Sequence, residues 1–272
     1  MIEVVACPGL RWHVDLSHSP AAAEPALVEP ILVVPALVEP ALVEPALLKQ
    51  ALLKQVWAEM VAANPRLHDG PICQCLGYTA GSAASGGVLH VARSQFSAMA
   101  VQRDERVGDR GVRILGAKAM VVGRDSDGRE QVIIGQRGPG VLMYPRQWEL
   151  APAGSIDAHL LKSSLDDALR QTVQGEGTEE LDLDLPDLCK IVGPVCLYRD
   201  DAALCWDVIV RLDWRAVIDP RLSPGGCRVS EHSWEYGDVV WLARSDAAAW
   251  HARSPRALSP PTVSVLQWAG WI

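Results

Sequence analysis

From Pro20 to Pro45 a proline stands at every fifth position, and that regularity limits what the N-terminal part of the chain can become. The units read AAAEP, ALVEP, ILVVP, ALVEP and ALVEP, and two proline-free ALLKQ units carry the array from Ala21 on to Gln55. Each proline lacks a backbone N–H and clashes with the preceding helical turn, which excludes a continuous helix and a central strand. Five residues is not the period of a solenoid or propeller repeat either. The segment 21–45 is therefore expected as extended chain, partly polyproline-II in character. Past Pro45, Leu48, Leu52, Val56 and Met60 recur every four residues, which predicts a helix over 46–63 ended by Asn64-Pro65.

Beyond this helix the pattern changes period. GYTAGSAASGG (Gly77 to Gly87) lies between short apolar runs and matches no phosphate-cradling or nucleophile-elbow motif, so it reads as a hairpin turn. Residues 104–113 form a charged connector. ILGAKAMVV (114–122) and EQVIIGQR (130–137) flank Asp125-Ser-Asp-Gly128 and predict a second hairpin. Ser163 or Ser164, with Asp166 or Asp167 three residues on, predicts a capped helix start, and Leu165, Leu169 and Val173 mark its buried stripe. Strands are expected at 190–198, 205–214 and 239–243, and a short helix at 245–252. Strands, one long helix, strands and a helix make an α+β fold with a mixed sheet, layered α/β/α, rather than a doubly wound parallel sheet.

Composition removes several function classes. The 272-residue chain is 49% hydrophobic and 21% charged, with a net charge of -8. It has enough apolar sequence for a core, but no overall basic surface to displace the counterions of nucleic acid or to dock on an anionic membrane. Seven cysteines without a CxxC are expected reduced and buried, because Cys73-x-Cys75 has no second Cys/His pair to complete a zinc site. The histidines form no HExxH, and the tryptophans are scattered without basic interleaving. With no basic-then-apolar leader and no apolar run of about 18 residues, the chain reads as cytoplasmic.

Chemistry concentrates where the long helix ends, at Glu176-Gly-Thr-Glu179-Glu180. On a wheel of about 100° per residue, Glu176 and Glu180 fall among Leu165, Leu169 and Val173, and Glu179 lies close beside them. Three such carboxylates would repel one another and resist desolvation. A hard divalent cation relieves both, and Mg²⁺ typically takes one or two carboxylates together with phosphate oxygens. The competing reading is a solvated acidic helix end, weakened by Gly175 and Gly177.

The run from strand 114–122 through GQR, YPRQWELAPAG and the long helix resembles a Nudix hydrolase, whose box is written Gx5Ex7REUxEExGU. Gly154 would be the opening glycine, led in by Tyr144-Pro145, Trp148-Glu149-Leu150 and Pro152-Ala153. Two registers compete. In one, Arg170-Gln-Thr-Val-Gln-Gly-Glu-Gly177 matches REUxEExG with Gln171, Gln174 and Gly175 in place of all three glutamates, which describes an inactive relative. In the other, Glu176, Glu179 and Glu180 are the box glutamates, Gly175 replaces the arginine, and the connecting loop is seven residues longer. The wheel favours the second, since Gln171 and Gln174 fall away from the apolar stripe. VVACPG (4–9) and the segment Trp57…Asn64-Pro-Arg-Leu-His-Asp-Gly-Pro71 are similar to the UDP-glucose/UDP-galactose pyrophosphatase branch.

This resemblance implies a Nudix-like domain over 111–272, an N-terminal α/β extension over 1–110, and a small-molecule nucleoside diphosphate substrate such as UDP-glucose, split to UMP and sugar 1-phosphate. It implies Mg²⁺, replaceable by Mn²⁺, held by Glu176, Glu179, Glu180 and Gly154. Glu235 in SWEYGDVVWL is a candidate base for the attacking water. Arg137 is a candidate phosphate ligand, and Trp148 and Glu149 join it as substrate-binding candidates. The alternatives are a Nudix-fold binding protein without hydrolysis and an interaction protein that uses the pentapeptide arm.

Overall fold

The computed structural model describes residues 2–6, 10–14, 40–81, 87–218, 229, 234–253 and 258–272. Along the chain run β1 (Ile2–Ala6), β2 (Arg11–Val14), α1 (Pro40–Ala63), β3 (Pro71–Thr79), β4 (Val88–Gln95) and α2 (Phe96–Ala100). Next come β5 (Ile114–Asp125), β6 (Glu130–Arg137), β7 (Trp148–Leu150), β8 (Ala153–Ser155), α3 (Leu165–Leu181) and α4 (Leu185–Leu188). β9 (Cys189–Asp200), β10 (Cys205–Ile218), β11 (Tyr236–Ala243), α5 (Arg244–Arg253) and α6 (Pro260–Trp268) complete the order.

The described strands join one mixed sheet whose main path is β1-β9-β10-β5-β3-β4-β2. β5 pairs in parallel with β10, which pairs antiparallel with β9. Its central residues are buried without interruption because both faces of the sheet are covered. Period-two alternation sends Leu115, Ala117, Ala119 and Val121 to one core with Leu165, Leu169 and Val173 of α3. Met120 and Val122 go to the other core, with Ala247 of α5 and Val265 and Leu266 of α6. The expected α/β/α layering of an α+β fold follows from this alternation.

Among the described residues no single strand pairs along the second edge of β5. Ile114 meets β3, Gly116–Lys118 meet β8, and Val122–Arg124 meet β6. The site lies along this divided edge.

Both expected hairpins form: β3 pairs antiparallel with β4, and β5 with β6. Residues 82–86 of the first turn, and 21–39 of the segment expected to be extended, lie outside the described residues. In 40–45 the expectation fails, because α1 starts at Pro40 and takes in Pro45. Pro40 occupies the first helical position, where its missing N–H has no helical partner to lose. Pro45 gives up one bond to the carbonyl of Ala41, while the alanines and leucines around it are strong helix formers. The cysteines at 73, 75, 189 and 196 are free and buried. No helix among the described residues is long and apolar enough to cross a membrane.

Candidate active site

α3 begins where its sequence signal placed it. Ser164 is the N-cap, and its Oγ accepts the N–H of Asp167 at 3.1 Å. The helix passes Gly175 unbroken to Leu181. There Asp182, in the left-handed conformation (φ 55°), closes it, and the Leu183 N–H returns to the Gly177 carbonyl at 2.9 Å. Gly177 is a packing glycine, since a Cβ there would stand 2.6 Å from Leu185 Cδ1. Beside the buried stripe, a second face made of Gln171, Thr172, Gly175, Glu176 and Glu179 lines a cavity of about 700 Å³.

The carboxylates expected to act together separate into layers. Glu176 lies over Gly154 of β8: a Cβ on that glycine would meet Glu176 Oε1 at 1.7 Å. Glu180 is buried one turn further on and accepts the Ala153 N–H through Oε2 at 3.3 Å, while its Oε1 is enclosed without a hydrogen-bond partner among the described residues. Glu179 is exposed at the cavity wall, because the wheel position that borders the apolar stripe here borders the opening. Glu235 approaches from the segment before β11. Burial, followed by the charges of Glu235 and Glu179, pushes the Glu176 carboxyl up to about 8. Burial and the neighbouring Glu176 and Glu235 hold Glu180 well above the usual carboxylate range. Glu235 is also raised, chiefly by burial.

A second, fully paired set of charges adjoins them. Glu149 of β7 accepts Lys118 Nζ at 2.6 Å, an Arg137 guanidinium N–H at 2.9 Å and the Tyr236 hydroxyl at 3.0 Å. Burial opposes its charge, but Lys118 and Arg137 outweigh burial and hold the carboxyl down to about 2. The same Arg137 nitrogen lies 3.5 Å from Glu235 Oε2. Arg137, expected from sequence as a phosphate ligand, lines the cavity with its Nη1 on two carboxylates of its own chain, and Glu149 is the anchor of that arrangement.

Trp148 does not line the cavity. Strand alternation turns Glu149 towards it and sends Trp148 with Leu150 to the α5–α6 core, where the Trp148 ring meets Trp250 edge-on at 5.5 Å. Lys118, Tyr198, Asp207, Arg66 and His68 also line the cavity; none was singled out as a site residue from the sequence, although Arg66 and His68 lie in the segment 64–71 that carries the second resemblance. They sit on strands or loops distant in sequence, and only the pairing of β10 with β5 and the return of the chain after α1 bring them in. A carboxylate in the Cys205-Trp-Asp207-Val-Ile-Val strand, at an apolar position, is the one local hint.

No group of three or more His, Cys, Asp or Glu that could hold a metal ion is found among the described residues. The donors present nonetheless suit a hard divalent ion. Glu180, with an enclosed carboxylate oxygen, and the half-buried Glu176, pressed against a glycine, are acids with no cation paired to them among the described residues. Such groups are stabilised either by a proton or by a metal ion.

No family model matches the chain, and no curated protein sequence matches it significantly. Among solved structures it is similar to a Nudix hydrolase from M. smegmatis, RenU, with 14% identity and a TM-score of 0.42 over 58% of this chain and 83% of that one. A Nudix hydrolase from Alicyclobacillus acidocaldarius gives 16% identity and a TM-score of 0.42 over 57% and 90%. The Nudix domain of Shewanella oneidensis NrtR, complexed with ADP ribose, gives 18% and 0.38 over 64% and 96%.

Proposed function

We propose that this cavity hydrolyses a diphosphate linkage, with a nucleoside diphosphate sugar as substrate, in the manner of a Nudix hydrolase. The observation that carries the reading is the stacking of Glu176 over Gly154 with the unpartnered Glu180 oxygen behind it. Glu176 and Glu180, with Glu179 at the rim and the Gly154 carbonyl beneath, would hold Mg²⁺ or Mn²⁺. Bound there, the ion supplies positive charge to the phosphate oxygens.

The chain's own residues do the rest. Glu235 stands beside the metal-binding set, close enough for its charge to act on Glu176 and Glu180, and burial raises its own carboxyl, which suits it to take up a proton. It takes a proton as the water oxygen bonds to phosphorus, and the bridging P–O bond breaks with its electron pair leaving on the departing phosphate. Glu149 cannot take that role, because Lys118 and Arg137 keep it ionised and saturated with donors. Arg137 holds Glu235 in position from behind.

A second reading, ligand binding without hydrolysis, is favoured by Gln171, which faces the cavity where the first register puts a glutamine for a box glutamate. An assay of UDP-glucose with Mg²⁺ and with chelator separates the two. Release of UMP and sugar 1-phosphate only with the ion, and its loss by roughly 100-fold in Glu235→Gln, supports the hydrolase. Ligand-induced thermal stabilisation without turnover supports the binder and removes the hydrolase.

A further inference from the structure

A diphosphate needs cations, and the described part of the cavity wall is short of them. Among the described lining residues, carboxylates outnumber Lys and Arg seven to three. Two of the three are engaged: Lys118 with Glu149, and Arg137 with Glu149 and Glu235. His159 is paired with Asp157 at 2.6 Å. Arg66 is the remaining cation, and among the described residues no carboxylate pairs with it. Its guanidinium carbon lies over the Trp234 ring, 5.6 Å from the centroid, next in sequence to Glu235. Such a cation–π contact is not a hydrogen bond and leaves the guanidinium N–H groups for an acceptor.

The loop that presents Arg66 is built in place. Asn64 ends α1, donates through Nδ2 to the Gly140 carbonyl at 3.3 Å, and accepts the Arg66 N–H at 3.3 Å through Oδ1. At the other end, Asp69 accepts both the N–H and the hydroxyl of Ser97 at 2.8 Å. The Phe96 N–H donates to the Gly70 carbonyl at 2.9 Å. Between these two anchors Arg66 and His68 both face the cavity.

We propose that the loop 64–70, supplied by the segment between α1 and β3, is the phosphate-binding arm of the site, with Arg66 as its bidentate anion ligand and His68 as a second donor. The inference rests on the diphosphate reading above. It assigns the substrate's anionic charge to two sources: the ion at the α3 carboxylates, and a cation from the N-terminal region in place of Arg137.

Full-length protein and its Arg66→Gln and Arg66→Lys variants would be titrated calorimetrically with inorganic pyrophosphate in Mg²⁺, and assayed with UDP-glucose. Arg66→Gln is expected to weaken pyrophosphate binding and raise KM by roughly 10- to 100-fold, with a much smaller change in kcat. Its affinity for Mn²⁺ alone, read by electron paramagnetic resonance, should be unchanged. Arg66→Lys, which keeps the charge and loses the fork, should recover part of the binding. Wild-type pyrophosphate affinity and KM in Arg66→Gln, with UDP-glucose still cleaved, would overturn the assignment and leave the hydrolase intact. Failure of the wild-type protein both to bind pyrophosphate and to cleave UDP-glucose would overturn the two together.

Discussion

The carboxylate of Glu176 fills the space that a side chain at position 154 would need, with Oε1 1.7 Å from where a Cβ would be. The two residues are 22 apart in sequence and belong to different elements, a helix and a three-residue strand. Gly154→Ala should therefore act on Glu176 before anything else. The clash is with the far end of a flexible side chain, so folding stability should change by about 1 kcal/mol at most. Hydrolysis should fall roughly 100-fold, as expected when a reacting group is displaced by about an ångström. Urea denaturation and UMP release, measured on the same preparation, check both halves.

Lys118 and Glu149 are both buried and paired at 2.6 Å. Lys118→Met removes one partner and leaves Glu149 with Arg137 and Tyr236. Breaking a buried pair from one side is expected to destabilise the protein by about 3 kcal/mol. Adding Glu149→Leu should return part of that loss, because the remaining charge would no longer be stranded. Equilibrium unfolding of the single and double variants gives the sign.

Glu176 and Glu180 titrate above their unfolded-state values. The metal-free folded protein therefore holds protons that the unfolded chain has released. Stability from this source is complete below the ordinary carboxylate value of 4.5 and is lost as pH rises towards about 8. Wild type minus Glu176→Gln, compared across that window in chelator, should show the wild type losing ground with rising pH. The gain in Tm on adding Mg²⁺ should grow over the same window. A Tm difference independent of pH would remove the assignment of these acids as enclosed and uncompensated.

Trp148→Ala tests the placement of that ring. Loss of its contact with Trp250 and the α5–α6 core should destabilise by roughly 3 kcal/mol. KM for UDP-glucose should stay within twofold of wild type, because the ring lies outside the cavity. A large rise in KM at full stability would return Trp148 to the substrate.

The parts of this fold that were legible in the sequence are those with local causes. The turn at Asp125–Gly128 announces β5 and β6, and Ser164 with Asp167 announces α3, because each signal lies within a few residues of the structure it makes. β7 and β8 are three residues each, too short for any periodicity, and they exist through pairing with β6 and β5. Without them the side of the sheet to which Trp148 turns cannot be derived. α6 opens on Pro260-Pro261, a pair that marks a loop in a linear scan and a helix start once Ser259 precedes it as the cap. The acidic cluster was legible because one helix holds it; Lys118–Glu149, separated by 31 residues, and Arg66, supplied by another part of the chain, were not.

Glu176, Glu179 and Glu180 sit at the carbonyl end of α3, where aligned peptide dipoles place about half a negative elementary charge. The last turn of α3 contains no basic residue to answer it. A lysine at the exposed position 179 would suit that pole better and would steady the helix, yet it would remove attraction that would draw a cation in. Screens that reward only heat resistance should accordingly find improvements at this position, and those variants would be the ones that no longer turn over substrate.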